Sequence, residues 1–150
     1  MDVEIIFAEN LKCGDSIEVL QKLSEILVRK GYADPELPGA IIKREKEFPT
    51  GLELKCNVNV AIPHADARYV HKPAVLVAKL ANPVKFQHMV DGREIDVDIV
   101  LLLALNDPHK QIQTLQKLAS ALENEEIVLR LKSVENSEML AGILEEILKR

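Results

Sequence analysis

A chain of 150 residues suits one domain, 1–150, and such a domain buries roughly 68–70% of its unfolded surface, enough for a core without metals or disulfides. Hydrophobic residues make up 47%, charged residues 29% and aromatic residues 3%, with no Trp, so an aliphatic core is expected. A net charge of -5, with no Lys/Arg run, excludes broad nucleic-acid binding, which needs a basic face to release counterions from phosphates.

Cys13 and Cys56 form no CxxC, and the chain starts without a basic segment leading into an apolar one. Both features point to a reducing, cytoplasmic compartment rather than secretion. The longest apolar stretch, Ile99 to Leu105, is far short of the ~20 residues of a membrane span, so no direct membrane insertion is expected.

In chain order, Val3, Ile5 and Ile6 predict a first strand over Asp2 to Phe7. Asp15 with Glu18 three residues on caps a helix carrying Leu20, Leu23 and Leu27, ended by Gly31. Asp34-Pro35 repeats the cap-then-proline signal for a second helix, with Leu37, Ala40 and Ile41 inward and Arg44 on that same face. Alternating Asn and Val predict a half-buried strand over Asn57 to Ile62, followed by Val75–Leu80 and an alternating segment around Val84 and Phe86. Ile95, Val97 and Ile99 then lead into Val100-Leu101-Leu102-Leu103, an unbroken apolar run that reads as a strand buried on both faces. Asn106-Asp107-Pro108 opens a third helix whose inner stripe is predicted at Ile112, Leu115, Ala119 and Leu122, and shorter helices are expected over Glu125–Lys132 and Ser137–Leu148. The fold class is α/β: a single-domain sandwich with helices on both faces of a central sheet.

Ile62-Pro63-His64 is the segment richest in chemistry. Pro63 cannot continue a ladder interior, so His64 is expected just past the end of a strand, at a sheet rim where α/β proteins place their sites. A histidine there is either a neutral nucleophile or a satisfied structural side chain. Arg44 is either a solvated helix-end cation or a guanidinium whose planar fork suits phosphate oxygens. His71 and His88 have no metal-ligand spacing with His64 or Asp66, and Asp91, Glu94, Asp96 and Asp98 read as the wet face of a strand. Glu45 reads as a helix-end carboxylate. No GxGxxG, P-loop or GxSxG motif is present, so no nucleotide chemistry, metal or cofactor is called for.

Arg44-Glu45, Pro49-Thr50-Gly51 and Ala61-Ile62-Pro63-His64, in that order, resemble the enzyme IIA domains of the bacterial sugar phosphotransferase system, in the fructose–mannitol superfamily. Glu47 to Gly51 and the glutamine-bearing segment after Pro108 resemble its galactitol-type branch. The resemblance implies a mixed sheet. It also implies that His64 accepts a phosphoryl group at Nε2, with Nδ1 donating its proton to a backbone carbonyl, and that Arg44 binds the phosphate. The superfamily's second site position falls at Gln111 by counting back from Ala121-Leu122, with His109 two residues earlier; both stay candidates to line the phosphate site. The implied partners are HPr as donor, and a cysteine of a cognate enzyme IIB, serving a membrane IIC permease for galactitol or a related polyol or sugar, as acceptor. Ile62, Pro63 and Ala65 are expected in an apolar docking ring. The alternative is a regulatory module whose phosphorylation state controls binding to another protein.

Overall fold

The computed structural model describes residues 3–149, so Asp2 of the expected first strand lies outside the described residues. Six strands form one sheet: β1 (Glu4–Ala8), β2 (Gly51–Glu53), β3 (Asn59–Ala61), β4 (His64–Ala65), β5 (Ala74–Gln87) and β6 (Glu94–Ala104). The order is β1-β5-β6-β3-β2, with β4 also paired to β6. The sheet is mixed: β1 runs parallel to β5, β3 and β4 run parallel to β6, and the β5–β6 and β2–β3 pairs are antiparallel.

Alternation along the central strands divides the core in two. Leu76, Val100 and Leu102 face helices α1 (Ser16–Arg29) and α2 (Leu37–Glu47), packing with Leu23, Leu27, Leu37 and Ile41. Val75, Val77, Leu101 and Leu103 face α3 (Pro108–Leu122), α4 (Glu125–Lys132) and α5 (Ser137–Leu148), packing with Leu118, Leu131 and Leu144. The run Val100 to Leu103 is fully buried, as a strand covered on both faces must be. The sandwich with helices on both faces therefore stands as expected.

Local signals explain most boundaries. Asp15 accepts the Glu18 N–H at 2.8 Å while Glu18 accepts the Gly14 N–H at 2.8 Å, a reciprocal cap that starts α1. Gly31 follows the end of α1 with φ 79°, a conformation glycine adopts without strain. The acidic residues of β6 are its wet side: Asp96 pairs with Lys85 and Asp98 with Lys79, while Ile95, Val97 and Ile99 are buried.

Three boundaries differ from expectation. α2 starts at Leu37, because Asp34 accepts the Glu36 N–H at 2.8 Å and the Leu37 N–H at its own carbonyl, closing a turn instead of capping a helix; Pro38 supplies the early proline. β3 starts at Asn59, since Cys56 and Asn57 take φ of 62° and 59° in a tight turn that no ladder accommodates. Val75–Leu80 and the Val84–Phe86 segment join as one strand, β5, with a register irregularity between Lys79 and Val84 that takes up Pro83.

Candidate functional site

The registers Val60↔Ile99, Ala61↔Val100, His64↔Leu103 and Ala65↔Ala104 advance in step through Ile62-Pro63. Proline removes one amide from the ladder but keeps its carbonyl, and that carbonyl accepts the Leu103 N–H at 2.9 Å. The expectation that His64 lies past the end of a strand is therefore corrected: the ladder resumes after Pro63, and His64 opens β4. It is nonetheless at a rim, because its neighbour Ala65 pairs with Ala104, the last residue of β6.

His64 shares the sheet face of its partner Leu103, the face covered by α3 to α5. α2 packs against β4, and α3 starts four residues after β6 ends. His64 is half-buried, and its Nδ1 lies 2.5 Å from the Ile62 carbonyl oxygen. A carbonyl only accepts, so in the neutral ring Nδ1 carries the proton and Nε2 keeps its lone pair. Burial holds the imidazole pKa below its ordinary value of 6.5; the Ile62 and Pro63 backbone bonds oppose this, and the Arg44 charge adds to it. The ring is thus neutral near pH 7 and offers Nε2 as its one nucleophilic atom.

Arg44 sits at the edge of the buried stripe of α2 rather than within it. Leu37, Pro38, Ile41 and Glu45 are the buried positions, and Arg44 is exposed. Its guanidinium lies 5.8 Å from the centre of the Phe48 ring and has no ion pair among the described residues. A cleft of ≈ 270 Å³ runs past it, lined also by Lys43, Phe48, Asp66, Arg68 and Tyr69.

The neighbouring Glu45 is buried and spends both carboxylate oxygens on one residue. Oε2 accepts the Thr50 N–H at 2.8 Å and Oε1 accepts the Thr50 hydroxyl at 2.8 Å. This clamp closes the turn from Glu45 to Thr50 that follows α2. Gly51 follows, and a Cβ there would meet the Gln87 carbonyl oxygen at 2.7 Å, so the glycine is required by close backbone approach. The helix-end reading of Glu45 holds as to place, but neither its burial nor Thr50 as its partner is visible in the local pattern of residues.

On α3, Asp107 caps the first turn by accepting the His109 N–H at 2.9 Å. The buried stripe is Thr114, Leu118, Ala121 and Leu122, whereas Ile112 is 54% exposed and Ala119 is exposed. The expected stripe is thus corrected by a rotation of about one residue, which the polar Thr114 had concealed. Gln111, half-buried, lies three residues before Thr114 and seven before Leu118 on this true inner side, while the His109 side chain is exposed.

The expected docking ring is also corrected. Ile62, Pro63 and Ala65 are buried, Ala65 completely, because the resumed ladder places them inside the sheet. Phe48 at 62% and Ile112 at 54% exposure are the apolar side chains left open on the two flanking helices' ends. Among the described residues no group of three His, Cys, Asp or Glu side chains is gathered closely enough to hold a metal, and no helix is long and apolar enough to cross a membrane.

A family model described as "Phosphoenolpyruvate-dependent sugar phosphotransferase system, EIIA 2" matches residues 1–147. The galactitol-specific EIIA component of Escherichia coli K12 is 33% identical over 114 residues, covering 76% of this chain and 75% of the relative. The mannitol-specific EIICBA component of the same strain is 31% identical over 146 residues, covering 90% of this chain and 22% of that longer protein. In structure, the crystal form of IIA mannitol from Escherichia coli superposes with a TM-score of 0.70 at 26% identity, covering 92% of this chain and 94% of that one. A complex of enzyme IIAMTL with phosphorylated enzyme IIBMTL, also from Escherichia coli, gives 0.70 at 26% identity, with 93% and 94% covered.

Proposed function

Because this chain belongs to the EIIA 2 family of the phosphoenolpyruvate-dependent sugar phosphotransferase system, whose members are phosphotransferase carriers, we propose that His64 is its phosphoryl acceptor. Nε2 attacks the phosphorus of phosphohistidine on HPr; the new N–P bond forms as the donor's N–P bond breaks. A second in-line transfer passes the group to a cysteine thiolate of the cognate enzyme IIB, which feeds a IIC permease for galactitol or a related polyol. The observation that carries this reading is the 2.5 Å approach of Nδ1 to the Ile62 carbonyl, which leaves Nε2 free.

Transfer through a loose transition state spreads charge over the equatorial oxygens, so the protein contributes position and positive charge. Arg44, unpaired at the cleft edge, supplies the charge. Gln111, on the inner stripe of α3, supplies a neutral amide donor to a phosphate oxygen. Galactitol as the cargo rests on the 33% identity to the galactitol-specific component. The test is incubation with HPr, its kinase and phosphoenolpyruvate. One acid-labile phosphoryl group on His64 is expected, and label recovered on a His64→Gln variant would refute the assignment.

A further inference from the structure

The Glu45 carboxylate is costly where it lies. It is 9% exposed, and among the described residues it has no ion pair, only the two donors of Thr50. A buried, unpaired carboxylate is a poor device for stability alone. Its partner, however, leads to the site. The Thr50 carbonyl accepts the Ile62 N–H at 3.1 Å, and the Ile62 carbonyl is the group that faces His64 Nδ1 at 2.5 Å. Four residues from α2, the following loop, the segment between β3 and β4, and β4 itself are thus joined by hydrogen bonds in series.

We infer that Glu45 is a positioning residue for phosphoryl transfer: by fixing Thr50 it aims the Ile62 carbonyl, which holds His64 in the tautomer that presents Nε2. This rests on the reading of His64 Nε2 as nucleophile. Two peptide units meet at Ile62: the Ala61–Ile62 unit is held at its N–H by the Thr50 carbonyl, and the Ile62–Pro63 unit carries the carbonyl that faces His64. Release of Thr50 frees the first unit, rotation about the Ile62 Cα bonds lets the second turn, the carbonyl loses its aim, and the proton moves to Nε2, where the lone pair was needed. A side chain without contact to the reacting atoms thereby sets the fraction of competent imidazole.

The carboxyl can also be titrated in place. Burial pushes Glu45 up to about 7, against the pull of the Thr50 N–H and hydroxyl and of Arg44. A cavity of ≈ 190 Å³ reaches Glu45, and Lys46, Lys85 and Glu94 are the other charged groups lining it. Above that pKa both oxygens accept from Thr50; once protonated, the acid has one oxygen that now donates. The clamp therefore loosens as pH falls through about 7, while His64 takes up its own proton only at lower pH, its pKa being held below 6.5.

The experiment is nitrogen NMR of histidine-labelled protein, run beside the rate of phosphoryl uptake from phospho-HPr, on wild type, Glu45→Gln, Thr50→Val and Thr50→Ser. The wild type is expected to show the Nδ1–H tautomer at about pH 8 and to lose it toward about pH 6, in a step separate from imidazole protonation. Glu45→Gln, which imitates the protonated acid, and Thr50→Val, which lacks the hydroxyl, should show mixed tautomers throughout and uptake slowed roughly tenfold at the higher pH. Thr50→Ser restores the hydroxyl and should behave as wild type. Folded Gln and Val variants with an unchanged tautomer and rate would overturn the proposal, as would a wild-type tautomer indifferent to pH. If Glu45→Gln fails to fold, the Thr50 pair and the wild-type pH series decide. Absence of phosphoryl uptake in the wild type would instead strike the functional reading, leaving the tautomer measurement to judge this one.

Discussion

The two sides of His64 are built by different means. On the α2 side, Glu45, Thr50, Ile62 and Gly51 are placed by hydrogen bonds and one forced backbone approach. On the α3 side, Gln111 is placed by the buried register of Thr114, Leu118 and Leu122 and by the first-turn bond from its own N–H to the Asp107 carbonyl at 3.0 Å. Polar placement is short-range and fixes individual atoms, whereas apolar packing fixes a helix face and leaves its polar margin free to adjust. The α2 side should therefore answer mutation sharply and the α3 side weakly.

The largest expected effect tests whether the α2 side stores a cost for its precision. Glu45 has a folded pKa of about 7 against an ordinary 4.5. A carboxyl with a raised folded pKa favours the folded state most below its unfolded pKa, and this contribution is lost as pH rises through the folded value. Between about pH 4.5 and 7 wild-type stability should thus fall by on the order of 3 kcal/mol from this one group, and Glu45→Gln should flatten that slope. Denaturant unfolding across the range measures it; parallel profiles for the two proteins would mean the carboxyl is not the titrating group.

Arg44→Lys comes next. Lysine keeps the charge but loses the fork, and one charge-assisted bond is worth about 1.5–3 kcal/mol, so phosphoryl transfer should slow on the order of tenfold with the fold intact. An unaltered rate would return Arg44 to an exposed helix-end cation stacked on Phe48. Gly51→Ala asks the same of the backbone. Its methyl would meet the Gln87 carbonyl oxygen at 2.7 Å, so β2 must shift, at about 1–3 kcal/mol of stability. Thermal unfolding unchanged from wild type would show that the β2 edge is pliant and the α2 side less rigid than its hydrogen bonds indicate.

The same contrast explains what was legible in the sequence. The central strands and the five helices were visible because Val100 to Leu103 and Leu20, Leu23 and Leu27 carry strong apolar patterns. β2 and β4, three and two residues long, were not, since so short a pairing leaves no period to read. Pro63 suggested a strand end because a proline's missing amide is visible in sequence while the use of its carbonyl by Leu103 is not. His64 and Arg44 stood out by motif, but the burial of Ile62 and Ala65 depended on β4 pairing with β6, a non-local fact. Ile112 and Ala119 draw the expected α3 stripe toward themselves because both are apolar, whereas Thr114, which marks the buried face, carries a hydroxyl.

The smallest effect belongs to that helix. Gln111 shares the inner side of α3 with Thr114 and Leu118, whereas the His109 side chain is exposed and its N–H is already taken by Asp107. A neutral amide donating to a phosphate oxygen contributes about 0.5–1.5 kcal/mol, so Gln111→Ala should slow transfer by only a few-fold to roughly tenfold. His109→Ala should leave the rate unchanged, because the cap of Asp107 uses the backbone and not the ring. Gln111→His is the sharper variant. It puts a titratable donor on the inner side, and transfer should become faster at acidic pH, where the new imidazolium adds charge near the phosphate, than at pH above about 7. Rates that respond to His109 and ignore both changes at Gln111 would show that the first turn of α3 reaches the phosphate from its exposed side. The α3 side would then be set by the helix terminus and not by the apolar register beneath it.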